Sequence, residues 1–223
     1  LCWALARDTV TGEILMAGND PPWTTKFGRE FVGSWIRRYD ANGRLDTTFG
    51  RDGIFWEWKY STPARRGGTY PKRIKVLPDR SLIVSSYYET RDSKSDHSTI
   101  FKVTPDGKLD TSFGGGGFDV HGFINAVELQ SDGKVLVGGW RYAPKNKYPA
   151  MLMRLLPDGE LDPTWIGNDP MAYAPFGGNV DSIFVENGFA RVWNFFRRYE
   201  TKWRNGAWDG KSIIRSRFAR IVL

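Results

Sequence analysis

Thiol and imidazole chemistry is nearly absent from this chain of 223 residues, which has one cysteine, Cys2, and two histidines, His97 and His121. A lone cysteine cannot close an intrachain disulfide, so the thiol count neither requires nor forbids an oxidising compartment. A zinc centre needs clustered Cys or His ligands and a Cys–His dyad needs the two side by side; the sequence offers neither pattern. No apolar run approaches the roughly 20 residues of a membrane-spanning helix, and no long segment repeats its apolar residues at the helical period. The glycine run at 114–117 lacks the Lys and Ser/Thr that complete a phosphate loop. These absences lead us to expect a protein that is not an enzyme, with no catalytic residues, no metal centre and no cofactor, and with His97 facing solvent in the polar stretch 91–98. Acidic residues are plentiful and their pairing in space is invisible in sequence, which leaves a glycosidase-type carboxylate pair open.

What the chain does have is punctuation and repetition. Its composition is 40% hydrophobic and 15% aromatic, enough for a sizeable core, and 25 glycines with 12 prolines suit many short strands. The phrase GRLDTTFG at 43–50 returns as GKLDTSFG at 107–114 and as GELDPTWIG at 159–167, with the leading glycines 64 and then 52 positions apart. Between these copies an aliphatic run follows a turn pair four times, after Thr11-Gly12, Asp79-Arg80, Asp132-Gly133 and Asn187-Gly188. Two signals that keep phase define one supersecondary unit copied along the chain.

The third copy shows the unit most clearly. Ile124 to Leu129 alternates as a strand, and Asp132-Gly133 supplies the positive φ of a tight hairpin. Lys134 to Gly139 returns, and Ala150 to Leu155 follows a polar loop before the turn Pro157-Asp158-Gly159. A weaker fourth strand follows the LD-x-x-F/W-G motif, as at 53–58 and 117–120. Four antiparallel strands in about 50–60 residues is the size of a propeller blade.

The segments AVELQSDGKVLVGG (126–139), MRLLPDGELDPTW (153–165), FKVTPDGKLDTSFGGGG (101–117) and IRRYDANGRLDTTFGRDG (36–53) resemble the delta-60 repeat of bacterial β-propeller-like proteins. The resemblance covers nearly the whole chain, though the fourth copy ends in RFARIVL before any PDG or LDTSFG. It implies an all-β, β-propeller-like fold of about four blades of four antiparallel strands, in one repeat domain spanning 1–223. The repeats fall at approximately 1–68, 69–121, 122–178 and 179–223, the last incomplete. Residue 1 is Leu and both ends look unfinished. A closed four-blade ring is the first expectation, with part of a larger ring or an open arc as alternatives. The resemblance names an architecture and no activity.

Within the motif, Gly43, Gly107 and Gly159 make the turn. Leu45, Leu109 and Leu161 with Phe49, Phe113 and Trp165 are expected to fill the space between neighbouring blades. Asp46, Asp110 and Asp162 recur beside Asn42, Asp106 and Asp158, and oxygen ligands so spaced could hold calcium at the repeat loops. The stronger reading is structural, with one residue making the turn and the other accepting backbone N–H bonds.

Charge is distributed unevenly. Residues 191–223 hold nine Lys and Arg against Glu200 and Asp209, so the last repeat carries the whole formal excess of +7. Arg197, Arg198, Lys202, Arg204, Lys211, Arg215, Arg217 and Arg220 are therefore candidate docking residues for an acidic partner surface. Aromatics interleave with them as in single-strand binders, but no nucleic-acid module is present, and that reading is the weaker one. The chain has ten tryptophans, and Trp23, Trp140, Trp203 and Trp208 near loops are candidates for stacking on sugar rings.

The expected function is a non-catalytic structural and interaction module. It would display the loops 20–28, 60–69, 89–98 and 142–148, with the basic last blade, for protein docking in a larger surface or virion-type assembly. Carbohydrate recognition or adhesion through loop tryptophans is the alternative. The expected location is extracellular, at a bacterial cell surface or in a phage virion.

Overall fold

The computed structural model describes residues 1–19, 23–24, 30–31, 33–57, 69–89, 96–142, 149–165, 179–204 and 207–222, with 194–222 described by strand pairing alone. Every regular element among them is a β-strand. The first sheet takes β1 (Cys2–Arg7), β2 (Ile14–Asn19), β5 (Ser34–Tyr39) and β6 (Ile54–Glu57), and a small ribbon of β3 (Trp23–Thr24) and β4 (Glu30–Phe31) lies between β2 and β5 in the chain. The second holds β7 (Thr69–Val76), β8 (Leu82–Glu89), β9 (Asp96–Val103) and β10 (Phe118–Val120). The third holds β11 (Gly122–Leu129), β12 (Val135–Arg141) and β13 (Ala150–Leu155), and the fourth β14 (Asn179–Glu186), β15 (Phe189–Arg204) and β16 (Ala207–Val222). All neighbours pair antiparallel, and the first strands of the sheets, β1, β7, β11 and β14, lie side by side in that order.

This is the all-β, propeller-like architecture, with the four sheets as blades. The turns after β1, β7, β11 and β14, and those carrying the LD-x-x-F/W-G motif, gather at one end, the motif end. There Gly12 and Gly133 reach +76° and +83° in φ, and the non-glycine residues Arg80 and Asn187 take the same left-handed conformation. The ends of β2, β8 and β12, the starts of β5, β9 and β13, and the starts of the innermost strands lie at the opposite end, the loop end.

Apolar residues alternate along each strand and fill three cores, one per pair of adjacent blades. Leu15, Ile36, Phe49 and Phe55 meet Ile74, Val84 and Phe101. Ile83, Ile100 and Phe113 meet Val127, Val137 and Met153, and Leu136, Leu152 and Trp165 meet Val180, Ile183 and Val192. Phe49, Phe113 and Trp165 thus each sit in an inter-blade core.

A backbone lock accompanies each of the first two cores. The N–H of Gly50 donates to the Asp106 carbonyl at 2.8 Å and that of Gly114 to the Asp158 carbonyl at 2.7 Å, joining one blade's motif to the next blade's turn. The turn glycine is required by close approach: a Cβ on Gly107 would lie 2.3 Å from the Gly50 nitrogen, and one on Gly159 would lie 2.6 Å from the Gly114 nitrogen.

The motif aspartates hold the same corner. Asp46 Oδ1 accepts from the Thr48 amide at 2.9 Å and hydroxyl at 2.6 Å, and its Oδ2 accepts from Arg38 Nε at 2.8 Å. Asp162 repeats this with Thr164 and Arg154, and Asp110 does so with Ser112 and Lys102, the latter at 3.6 Å. Hydrogen bonds from Thr48, Ser112 and Thr164, reinforced by the basic partner, hold all three carboxyls below the usual Asp range.

The first blade departs from this pattern on its outer side. Leu5 is 67% exposed, whereas Ile74, Val127 and Ile183, at the same register position, are 6%, 4% and 4% exposed. Leu45 is likewise 40% exposed, while Leu109 and Leu161 pack against cores, and a Cβ on Gly43 would meet nothing within 4 Å. Among the described residues no hydrophobic cluster joins the fourth sheet back to the first. The described residues thus show no packing of the fourth blade on the first, an arrangement common to an open arc and to part of a larger ring.

Candidate functional site

At the loop end each innermost strand carries one β-bulge. The register shifts between Cys2 and Ala4, Pro71 and Arg73, Ile124 and Ala126, and Val180 and Ser182. A bulge leaves one residue unpaired and re-aims its side chain; here those residues are Trp3, Lys72, Asn125 and Asp181, one per blade. Because β1, β7, β11 and β14 are neighbours, the four follow one another around an inner rim.

Their contacts run between blades. The Lys72 ammonium stands 4.8 Å from the Trp3 ring centroid, 5.9 Å from that of Tyr87 and 5.7 Å from that of Phe123, a cation–π setting that joins blades one to three. Burial, with the charge of Arg73 second, lowers the Lys72 pKa from its ordinary value, and among the described residues no carboxylate pairs with it. Further round, Asn125 Nδ2 donates to Asn179 Oδ1 at 2.7 Å and Asn179 Nδ2 to Asp181 Oδ1 at 2.6 Å. On the other side, Trp3 Nε1 donates to Asn19 Oδ1.

A continuous belt of rings borders this row. Trp3 meets Tyr70 edge-on at 6.0 Å, Tyr70 meets Tyr87 at 6.0 Å, Tyr87 meets Phe123 at 4.8 Å, and Phe123 stacks on Trp140 at 6.1 Å. Trp140 meets Tyr142 at 5.2 Å, Tyr142 meets His121 at 4.6 Å, His121 stacks on His97 at 4.7 Å, and His97 stacks on Tyr88 at 5.2 Å. Strand register brings the rings together: Tyr70 is paired with Tyr87, Tyr88 with His97, and Phe123 with Trp140. His97 is thus a member of a ring stack on β9, where the sequence suggested a solvent-facing loop.

Glu57 ends β6 at the same end of the sheet. It is buried, it accepts a hydrogen bond from Ser86 Oγ at 2.9 Å on one oxygen, and its Oε1 has no partner among the described residues. Burial, with the Asp119 charge adding to it, pushes its pKa up to about 8.

The sequence candidates fall in three places. Trp140 lies in the belt. Trp23 is on the β3–β4 ribbon opposite Phe31, its side chain outside the described residues, as are those of Trp203 and Trp208, which face each other in register near the tip of the β15–β16 hairpin. The basic candidates divide along that hairpin. Arg217 and Arg220 are opposite Asn194 and Arg191, where β14 still pairs with β15. The pairing with β14 stops at Phe195, and from Phe196–Arg215 to Arg204–Ala207 two strands continue among the described residues. That ribbon bears Arg197, Arg198, Lys202, Arg204, Lys211 and Arg215, and it leaves the fourth sheet at the loop end. Most of the display loops lie outside the described residues; the strands that flank them all end at the loop end.

Trp3, Tyr70, Lys72, Tyr87, Phe123, Asn125, Asn179 and Asp181 were not singled out by sequence reasoning. Their coming together depends on four bulges that no local motif marks. The pairs Tyr87-Tyr88 and Trp140-x-Tyr142 at strand ends were the only available signal.

Residues 130–164 match the sequence model of a family described as "Domain of unknown function (DUF5122) beta-propeller", a stretch covering the Asp132-Gly133 turn, β12, β13 and the start of the third motif. A search of curated proteins found no match to the chain.

Proposed function

We propose that this chain is a non-catalytic interaction module of delta-60-type repeats that docks through its loop end into a larger assembly at a bacterial surface or in a virion. The observation that carries the reading is the β15–β16 hairpin. It bears all nine Lys and Arg of residues 191–223, the segment that holds the formal charge excess, and six of them lie where, among the described residues, it continues past the three-stranded part of its sheet as a two-stranded ribbon. A paired ribbon presents charge at lower ordering cost than a free segment, and a basic one suits an acidic protein face, with electrostatics setting encounter rate and register. The motif end supports the reading by contrast, because its carboxylates and glycines are consumed by contacts within and between blades.

The test is charge reversal to Glu at Arg198, Lys202 and Arg215, all on the ribbon, scored by recovery of the chain with its native assembly. Loss of co-purification is expected, together with weakening of the unmodified complex between 50 mM and 500 mM salt. Retention of both the triple variant and the salt-washed complex would remove the hairpin from the docking role.

Carbohydrate recognition is the second reading, favoured by the ring belt. It draws on Trp140 and the rim rather than on tryptophans scattered among separate loops.

A further inference from the structure

We infer that the inner rim is a binding site for a carboxylate-bearing saccharide of the uronic-acid type, an inference that rests on the carbohydrate reading and names its ligand class. It stands on the order of the four bulge residues. Trp3 offers an aromatic ring, 44% exposed, and Lys72 follows it with a positive charge. Asn125 stands one strand further round, and Asp181 follows beyond it.

Lys72 is the informative member. Three rings from three blades fix its ammonium, so little side-chain entropy remains to be lost when an anion arrives. It is partly withdrawn from water, which lowers its pKa, and a partly desolvated ammonium with no carboxylate partner among the described residues gains more from an incoming anion than a solvated surface lysine does. Beside it, the hydrogen-bonded series Asn125–Asn179–Asp181 is the kind of amide and carboxylate array that bonds vicinal hydroxyls, each amide retaining capacity beyond the bond it makes here. An aromatic face for the sugar ring, a cation for its carboxylate and an amide–carboxylate series for its hydroxyls are the complement of a uronic acid.

The same order disfavours a polyphosphate ligand. A nucleic-acid strand carries a charge at every step, and a strand seated on Lys72 and running along the rim would bring phosphates towards the Asp181 carboxylate. A saccharide with one carboxylate per ring can place that group at Lys72 and hydroxyls at Asp181. A neutral sugar would leave Lys72 unpaired and forgo the charge-assisted bond.

The experiment is titration calorimetry of the whole chain with an oligomer of galacturonic acid and with the same oligomer after reduction of its carboxyls to hydroxymethyl groups. The acidic oligomer is expected to bind at least tenfold more tightly. Lys72→Gln should remove that preference while leaving affinity for the reduced oligomer unchanged, Lys72→Arg should restore it, and Trp3→Ala should weaken both ligands. Lys108→Gln at the motif end, an exposed residue, should change nothing, and thermal unfolding of each variant reports whether it is folded. Equal affinity for the two oligomers, or a preference that survives Lys72→Gln, would overturn the acidic-ligand assignment and leave the carbohydrate reading standing. Binding of neither oligomer would overturn both.

Discussion

Replacing Gly159 by alanine separates the cost of a turn from the cost of an interface, because the chain contains its own control at Gly43. Both residues are in the left-handed region, at φ +85° and +80°, so each alanine carries the same backbone penalty of about 1–2 kcal/mol. They differ in surroundings. A Cβ at 159 would sit 2.6 Å from the Gly114 nitrogen and 2.8 Å from Phe113, while one at 43 meets nothing within 4 Å. Neither neighbour of Gly159 is a flexible side-chain tip, so the blades must separate locally. That forfeits the bond from Gly114 to the Asp158 carbonyl, worth about 1 kcal/mol, and strains a packed core by about 1–3 kcal/mol. Gly159→Ala should therefore cost about 3–6 kcal/mol and Gly43→Ala about 1–2 kcal/mol. At about 2–4 °C per kcal/mol for a chain of this size, calorimetry should resolve the two easily, and urea unfolding gives the free energies directly. Gly107→Ala, with its Cβ 2.3 Å from the Gly50 nitrogen, should behave like Gly159→Ala. Equal losses at positions 43, 107 and 159 would refute the inter-blade lock.

The remaining predictions concern pH and charge. The Glu57 pKa is raised to about 8 in the folded protein from an ordinary 4.5, so the unfolded chain releases this proton first as pH rises, and stability should fall between about pH 4.5 and 8 and then level off. Urea unfolding across that range should show a loss of several kcal/mol that Glu57→Gln abolishes; an unchanged slope in the variant would place the titration elsewhere. Asp46, Asp110 and Asp162 are shifted the other way, so their contribution is present above the ordinary Asp range and should be lost as pH falls through their lowered values, steepening acid unfolding. For the hairpin, reversal of Arg198, Lys202 and Arg215 on the ribbon should slow association and reduce its salt dependence, measured by surface binding to the isolated native partner.

The blade was legible because its signals are local. Asp132-Gly133 and Asn187-Gly188 dictate hairpins by the φ they tolerate, and the third-repeat strands were readable to within one or two residues. Phe49, Phe113 and Trp165 announced themselves as inter-blade residues by recurring at one position of the repeat. The rim was not legible, because Trp3, Lys72, Asn125 and Asp181 share no residue type and are aligned only by a one-residue register shift in each inner strand. A bulge depends on how two strands settle against a third, and Pro71 or Ile124 looks no different in sequence for flanking one. His97 was misread for a related reason: its polar neighbours at 91–96 suggested a loop, whereas register with Tyr88 draws it into β9. The basic segment was visible as charge, but its division between the body of the sheet and a two-stranded ribbon depended on where β14 ends.

A division of labour between the two ends, with partners met at the loop end and blades held together at the motif end, is the central claim. Lysine-directed cross-linking of the natively isolated assembly, read by mass spectrometry, tests it most directly, because the chain has lysines at both ends. Intermolecular cross-links are predicted from Lys72, Lys202 and Lys211 at the loop end, and few or none from Lys108 and Lys134 at the motif end. Cross-links to partners concentrated at Lys108 and Lys134, with Lys202 and Lys211 silent, would contradict it.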